Sequence, residues 1–415
     1  MLLFYYIFFG VSIIWLFVKK SDFIVWLPLF YVILDSSFSF FLTLSIVTFL
    51  RPIVFLIILF FYLKINSFNI FTKYLYVFFT YTLVLVLFSS QLFYSFKGFL
   101  QVFISMMCFP VGYIYFDSVS KLRRLNKSVL YLIMFSVFSS ALGYIFGIGR
   151  IFEYDVSEEQ TIGILGSSGL YSAALAVGIL PLLLSTTTRR LWRWVLFSSS
   201  LVVYIFILLN VRRTAIFIPV VGLLTYAWFT PNKSKIFSGI IVAIAVLLLA
   251  SPLYFDKLMS RYNVRADAGR FDEDFYKTEN RYIENINVFT EVFSFDDPVK
   301  SFFGEKIYAS GRFDDKKSRM NHSDPANLMA GTGIVGFLLY IIVYIGFFKF
   351  PRFFKHKVSS LMQIYKTTYY SLLFMSLFVS LNGSLMLVSL RSILFLYLGA
   401  MLSLMCQESQ NNESV

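Results

Sequence analysis

The sequence feature that most constrains this fold is a series of apolar runs, several of which reach the roughly 20 residues that a helix needs to cross a bilayer. So many runs in one chain predict an all-α polytopic membrane protein, because lipid offers no partner for the backbone polar groups of open structures. Residues 20–63 are ambiguous, so we expect about 12 or 13 spans. The runs place helices near residues 2–18, 23–34, 46–63, 74–90, 98–116, 128–147, 169–185, 194–209, 214–230, 236–252, 327–347, 366–382 and 385–405.

Composition agrees with that class. The chain of 415 residues is 58% hydrophobic and only 14% charged, whereas soluble domains carry about a quarter charged residues. Cys108 and Cys406 both lie in apolar runs, so we expect neither a disulfide framework nor a thiolate metal site. The net charge of +13 comes largely from short basic turns between predicted helices. Such turns indicate membrane topology, and we expect no nucleic-acid partner.

Four basic turns set the predicted orientation. They are residues 121–127, 189–193, 233–235 and 349–357. All four fall on one side if the spans alternate, and that side is then cytoplasmic, because positive residues are enriched there. We therefore expect transmembrane helices over 1–253, a large extracytoplasmic (periplasmic) loop over 254–326, C-terminal transmembrane helices over 327–405 and a cytoplasmic tail over 406–415.

The large loop concentrates charge and has a helical periodicity of its own. The interval 254–327 contains 14 of the 23 acidic residues and 12 of the 36 basic residues. Large apolar residues recur there at helical spacing, which predicts an amphipathic helix near residues 271–293, lying against the membrane or the bundle. These residues are Phe275, Tyr282, Ile286, Phe289 and Phe293.

The exit of the loop carries the first candidate site residue, His322. Ser323 or Asp324 can cap the next helix, with Pro325 in its first turn. His322 would then stand at a helix N-terminus, where free backbone N–H groups favour an anion. A lone histidine is more often structural than catalytic, but an imidazole that titrates near neutral pH can also serve as a general base or a hydrogen-bond partner.

Arginines on the predicted outer side are the other candidates. Arg212 and Arg213 lie between two predicted helices where basic residues are not expected, either as snorkelling arginines at a helix end or as an anion site. Arg391, in the last span, is a weaker instance of the same pattern. No metal-ligand spacing, Gly-rich phosphate loop or nucleophile elbow is present, so we expect no metal. Arginines alone can neutralise a lipid diphosphate, because the guanidinium fork matches phosphate oxygens.

Four stretches between about residues 160 and 340 together resemble a known family. They are Thr161–Tyr171 leading to Leu180-Pro181; Leu209–Phe217; Thr278–Arg281 followed by Pro298 and Phe302–Gly304; and His322 followed by Gly331, Gly333, Gly336 and residues 338–340. In their order and placement the chain resembles the O-antigen polymerase (Wzy-like) and O-antigen ligase group of bacterial membrane glycosyltransferases. It departs from the family in lacking an Asn-Pro-Asn in the first stretch and in having Arg212 at a serine position.

The resemblance implies a GT-C-like bundle in the bacterial inner (cytoplasmic) membrane that transfers glycan from an undecaprenyl-diphosphate carrier on the outer face. We expect a polymerase of oligosaccharide repeat units for O-antigen or capsular polysaccharide. The implied roles are catalysis for His322 and diphosphate binding for Arg213, Arg281 and Arg212, with no cofactor. The expected partners are the undecaprenyl-diphosphate-linked oligosaccharide, membrane lipid and a chain-length regulator protein.

Two other activities stay open at this point. A ligase would move the finished glycan to a lipid or protein acceptor, and the sequence pattern barely separates it from a polymerase. A lipid-linked oligosaccharide flippase fits less well, because such transporters usually have paired repeats, charges inside the bundle and short loops, whereas this chain has no evident repeat and one dominant outer loop. A purely structural role would leave Arg213, Arg281 and His322 individually replaceable.

Overall fold

Helices account for nearly all of the chain that can be described, which confirms the all-α class. One short antiparallel hairpin, β1 (Arg150–Phe152) with β2 (Glu159–Thr161), interrupts them, and Arg150 lies opposite Thr161. The structure is a computed structural model. It describes residues 23–40, 45–63, 70–147, 150–152, 159–161, 163–210, 212–231, 233–267, 280–305, 307–308, 323–354, 359–382 and 387–413, together with residues 11, 14, 15, 18 and 19.

The helices follow the predicted apolar runs closely. Short 3₁₀ turns at Ile24–Trp26, Ser251–Leu253 and Phe350–Phe353 adjoin them. The helices are α1 (Leu27–Phe40), α2 (Ser45–Tyr62), α3 (Lys73–Leu87), α4 (Leu92–Tyr115), α5 (Val119–Phe146), α6 (Gly166–Gly178), α7 (Leu180–Thr186), α8 (Arg190–Leu209), α9 (Arg213–Phe229), α10 (Lys233–Leu249), α11 (Phe255–Asp267), α12 (Asn280–Phe293), α13 (Pro298–Phe303), α14 (Asp324–Lys349), α15 (Ser360–Asn382) and α16 (Val388–Glu413).

Several of these helices are long and apolar enough to cross a membrane, so the protein is a multi-pass membrane protein. Within the described residues there are five: Leu92–Tyr115, Val119–Phe146, Arg190–Leu209, Asp324–Phe353 and Val388–Gln410. Helices α6 and α7 together form a sixth candidate that bends by 62° between its halves. Most of the predicted first span, 2–18, lies outside the described residues, and the total of 12 or 13 spans stays a prediction.

Helix α16 lies at the centre of the bundle, and its residues from Val388 to Met405 are all buried inside the protein. It packs on α4 with backbone against backbone. A Cβ atom on Gly399 would lie 2.0 Å from the Phe109 carbonyl oxygen, and one on Gly112 would lie 2.1 Å from the Leu396 carbonyl oxygen. Glycine has no side chain, so the two backbones can approach this closely. Such close packing is what holds helices together in lipid, where burial of apolar surface gives little gain.

Polar contacts gather the basic turns at one end of the bundle. The side-chain amide of Asn126, near the first turn, donates a 2.7 Å hydrogen bond to the Thr186 hydroxyl, near the second. The Gln363 amide donates a 2.9 Å bond to the carbonyl of Phe229, which ends the helix before the third turn. These bonds join the helices that lead into three of the four basic turns.

The start of α15, which follows the fourth basic turn in the sequence, contacts the end of α16. The Ser359 hydroxyl, which follows that turn, donates a 2.6 Å hydrogen bond to the Glu408 carboxylate. Tyr365 interacts electrostatically with both Glu408 and Arg123, and Arg123 belongs to the first turn. The opposite end of the bundle therefore carries the starts of α9, α14 and α16.

Candidate functional site

Helix α14 begins with the cap that the sequence predicts. The Ser323 hydroxyl accepts a 3.3 Å hydrogen bond from the backbone N–H of Ala326, and Pro325 occupies the first turn. Serine caps satisfy one of the free N–H groups at a helix start, and proline fits there because its missing N–H is not needed. His322 directly precedes the cap in sequence but lies outside the described residues.

Asp324, the first residue of α14, is the centre of the most polar part of the core. Its carboxylate accepts a 2.5 Å hydrogen bond from the Arg391 guanidinium, which is in the first turn of α16. Both side chains are buried, with 0% exposure for Asp324 and 2% for Arg391. Removing either partner would leave a charge inside an apolar bundle, which is strongly unfavourable. The pair therefore joins the starts of two helices.

A hydrogen-bonded network extends this pair to α15. The Tyr340 hydroxyl donates a 3.0 Å bond to the Asp324 carboxylate and also lies 3.0 Å from the Ser380 hydroxyl. One turn further along α14, the Tyr344 hydroxyl lies 2.7 Å from that of Ser376 and 3.1 Å from that of Ser380. Buried polar groups connected in this way favour one arrangement of the helices that carry them.

Helix α12 packs against the first half of α14. The Ser323 hydroxyl donates a 2.6 Å hydrogen bond to the side-chain oxygen of Asn285. Arg281 stands one turn before Asn285, so the two residues occupy the same face of α12, although the Arg281 side chain is outside the described part of the chain. An apolar cluster completes the contact and comprises Val288 and Val292 of α12 with Ala326 and Met329 of α14.

Helix α14 is kinked at Gly333, which has φ 64° and ψ −167°. Segment α13 and Gly304 fit against this kink. A Cβ on Gly333 would lie 2.3 Å from the backbone of Phe302, and one on Gly304, whose φ is 76°, would lie 2.4 Å from the backbone of Gly331. Positive φ and this close approach both require glycine. Residues 302–304 and 331–333, which belong to two of the four stretches that resemble the family, are therefore in direct backbone contact.

Neighbouring groups satisfy carbonyls beside the kink. The backbone N–H of Glu305 donates a 2.9 Å hydrogen bond to the Ala330 carbonyl. The Tyr81 hydroxyl of α3 donates one of 2.9 Å to the Thr332 carbonyl. A break in a membrane helix is tolerated where its freed polar groups find partners inside the protein. The kink is thus held from both sides, by α13 and by α3.

Tyr308 brings the segment after α13 close to the ion pair. Its side chain is buried. A tyrosine phenol is protonated at neutral pH, and burial, with a smaller contribution from the Asp324 carboxylate, raises the pKa of the Tyr308 phenol further above its ordinary value. The group near the ion pair is therefore a neutral hydroxyl and not a second anion.

The start of α9 lies at the same end of the bundle. Arg213 is the first residue of α9 and is exposed, while Arg212 caps the helix and is half-buried. The Arg212 Nε atom is buried, and no hydrogen-bond partner for it occurs among the described residues. The Thr214 hydroxyl donates a 3.4 Å bond to the carbonyl of Asn382, at the end of α15. The exposed Arg213 is therefore next in sequence to a residue that is hydrogen-bonded to the end of α15. Helix α15 also contributes Ser376 and Ser380 to the polar network.

These contacts connect the predicted site positions into one region. Arg213 precedes Thr214, which contacts α15, and α15 is joined through the network to the start of α14, directly after His322. The cap of α14 in turn contacts α12, which carries Arg281. Among the described residues, no group of three or more His, Cys, Asp and Glu side chains could hold a metal ion.

The pairing of Asp324 with Arg391 was not predicted from the sequence, where Asp324 was expected only as a possible cap of α14. The signal that could have found it is charge balance: an arginine within an apolar span needs an acidic partner. Asp324 is the acidic residue that borders the apolar run over 327–347.

Comparison with known proteins finds no protein-family model that matches the chain and no curated protein of significant sequence similarity. Function is therefore inferred from the residues at this end of the bundle and from the four stretches that resemble the glycan polymerases and ligases.

Proposed function

We propose that the protein is a membrane glycosyltransferase that polymerises undecaprenyl-diphosphate-linked oligosaccharide repeat units for O-antigen or capsular polysaccharide. One observation carries the proposal. Hydrogen bonds link α9, which begins at the exposed Arg213, through α15 to the capped start of α14, and link that start to α12, which carries Arg281. An anionic lipid that reaches this end of the bundle from the bilayer would meet Arg213, α12 and the start of α14.

The arginines account for recognition of the carrier. A guanidinium binds phosphate oxygens through two parallel, charge-assisted hydrogen bonds. We infer that Arg213 and Arg281, with Arg212, bind the diphosphate and stabilise the negative charge that remains on it as the sugar leaves. The free N–H groups at the start of α14 favour an anion in the same region. These groups need no metal or other cofactor for charge neutralisation.

His322 accounts for the transfer step. The acceptor is a sugar hydroxyl, which becomes a better nucleophile when a neutral imidazole accepts its proton. We infer that His322 is that general base. The alternative role, a hydrogen bond from His322 to the diphosphate, requires no proton transfer.

The orientation of the bundle supports an outer-face reaction. The four basic turns lie at the end opposite the site, and basic residues favour the cytoplasmic side. We infer a GT-C-like bundle of about 12 or 13 spans in the bacterial inner membrane, with residues 254–326 as the extracytoplasmic loop. The proposed partners are the lipid-linked oligosaccharide, membrane lipid and a chain-length regulator protein.

The surface glycan of a deletion strain tests the proposal. A polymerase leaves glycan of a single repeat unit, a ligase leaves finished glycan unattached, and a flippase leaves the lipid-linked unit on the cytoplasmic side. Complementation with His322 variants then separates the two roles of the imidazole. A general base contributes about 10²–10⁴-fold, so both His322→Ala and His322→Gln should lose nearly all polymer. Substantial polymer from His322→Gln alone would favour the hydrogen-bonding role.

A further inference from the structure

The buried ion pair between Asp324 and Arg391 lies at the same end of the bundle as the candidate site. We propose that these two are positioning residues, which hold the start of α14, and with it His322, in register with α9 and α12. The inference rests on the proposed function for the reaction that is positioned. The geometry that supports it is independent of that function.

The pair restricts how α14 can sit. Apart from Tyr340 and Tyr344 of the polar network, most residues further along α14 are apolar, and packing of apolar side chains fixes the position of a helix less strictly than a buried charge does. A charge with 0% exposure permits none, because any shift that separates Asp324 from Arg391 leaves two unpaired charges in an apolar medium. The Tyr340 hydroxyl donates a hydrogen bond to the same carboxylate, and this bond also restricts how the carboxylate is oriented.

A shift of Asp324 would be transmitted to the site on two sides. Ser323, the adjacent residue, is bonded to Asn285, one turn from Arg281. On the other side, Ser380 bonds Tyr340, and Asn382, two residues later, bonds Thr214 beside Arg213. Hydrogen bonds therefore connect the pair to both helices that carry the arginines proposed to bind the diphosphate, and Asp324 is two residues from His322 in the sequence.

Neutral variants separate positioning from stability. Asp324→Asn and Arg391→Gln each leave one buried charge unpaired, so each should lower the unfolding temperature. The double variant removes both charges, and replacing a buried pair by neutral groups restores stability in many proteins. We expect its unfolding temperature and membrane level to return near wild type. Its polymer yield should stay roughly 100-fold low, the loss that a misplacement of about 1 Å can cause.

A matched control lies on the same central helix. The Tyr397 hydroxyl of α16 donates a buried 2.8 Å hydrogen bond to Asn126, near the end of the bundle with the basic turns. Tyr397→Phe removes a buried polar contact of α16 without touching the start of α14. It should lower the unfolding temperature slightly and leave polymer yield at the wild-type level.

A measurement of the distance between α12 and α9 tests the proposal in the absence of substrate. Spin labels are placed at the exposed positions Tyr282 of α12 and Phe217 of α9, in full-length protein in lipid nanodiscs with Cys108 and Cys406 replaced by alanine. The wild type and Tyr397→Phe should give one narrow distance distribution. The double neutral variant should give a shifted or broadened one.

Each result has a defined meaning. A shifted distance with lost polymer supports the positioning role. An unchanged distance in the double variant overturns it, whatever the polymer yield, and so does a shifted distance with wild-type polymer. If the deletion strain still makes polymer, the proposed function fails, and the distance measurement still shows whether the ion pair sets the relative position of α9 and α12.

Discussion

The Ser323 hydroxyl donates a 2.6 Å hydrogen bond to the side-chain oxygen of Asn285 and accepts one of 3.3 Å from the backbone N–H of Ala326. One side chain therefore caps α14 and at the same time holds α12 against it. Because α12 carries Arg281 and α14 follows His322, this hydroxyl couples the two parts of the polar interval that the proposed reaction needs together.

Substitution at Asn285 should separate these two roles. Asn285→Ala removes the bond to α12 and leaves the cap, and we expect a loss of about 1 kcal/mol in the free energy of unfolding and a reduced polymer yield. Ser323→Ala removes the cap as well, which adds about 1 kcal/mol to the loss. Unfolding of the purified variants and the glycan profile of complemented strains check both values.

The control for this pair is Ser294→Ala, because Ser294 is exposed and its hydroxyl, among the described residues, bonds nearby groups: the Glu291 carbonyl, the Asp296 carboxylate and the Asp296 backbone N–H. It should have little effect on polymer yield. Equal losses of polymer from Asn285→Ala and Ser294→Ala would show that the bond between α12 and α14 has no particular importance.

Alanine at the kink of α14 should prevent normal folding. Gly333→Ala imposes a positive φ on an L-residue and places its Cβ 2.3 Å from the Phe302 backbone, so we expect destabilisation of more than about 2 kcal/mol. Gly239→Ala is the matched variant, since nothing lies within 4 Å of its Cβ position. It should stabilise α10 by up to about 1 kcal/mol. Thermal unfolding in detergent compares the two, and similar stabilities would contradict the kinked geometry.

The guanidinium of Arg213 should matter for its shape as well as its charge. Arg213→Ala should reduce polymer by roughly 100-fold, as the loss of one donor to a developing negative charge does in other enzymes. Arg213→Lys should restore only part of the loss, because a point charge lacks the planar fork. Arg190→Lys, at an exposed arginine of the opposite end, serves as the control. Normal polymer from Arg213→Ala at wild-type protein levels would refute the role.

The orientation of the bundle can be tested with fusion reporters. A reporter after Asp274 should behave as extracytoplasmic, and reporters after Lys127 and Lys357 should behave as cytoplasmic, because the basic turns gather at one end of the bundle. An alkaline phosphatase fusion reports an extracytoplasmic position, and a green fluorescent protein fusion reports a cytoplasmic one. The reverse pattern would place the arginines and His322 on the cytoplasmic side and would contradict the proposed reaction at the outer face.

Local sequence predicted the helices well, because each apolar run is read from adjacent residues. The Ser323 cap is of the same local kind. The kink at Gly333 was not foreseen, since it depends on a contact from elsewhere in the chain, the approach of Phe302 to Gly333. The bend between α6 and α7 has a local signal, because Pro181 lies in the first turn of α7, but the predicted helix over 169–185 ran through it.

The ion pair shows more clearly what cannot be predicted from local sequence. Asp324 and Arg391 are 67 positions apart and lie on helices separated by α15. Nothing near Asp324 in sequence distinguishes a capping aspartate from a buried counter-ion. The distinction arises only when α16 enters the centre of the bundle and brings an arginine to the start of α14.

The central place of α16 has a consequence for biosynthesis. Asp324 emerges from the ribosome 67 residues before Arg391, a delay of about 3–13 s at a synthesis rate of roughly 5–20 residues per second. During that interval α14 carries a carboxylate that has no counter-ion, and the helices around the future centre have nothing to enclose. Until α16 is made and inserted, the start of α14 must therefore stay close to water or to the insertion machinery, because a carboxylate without its counter-ion is costly in lipid.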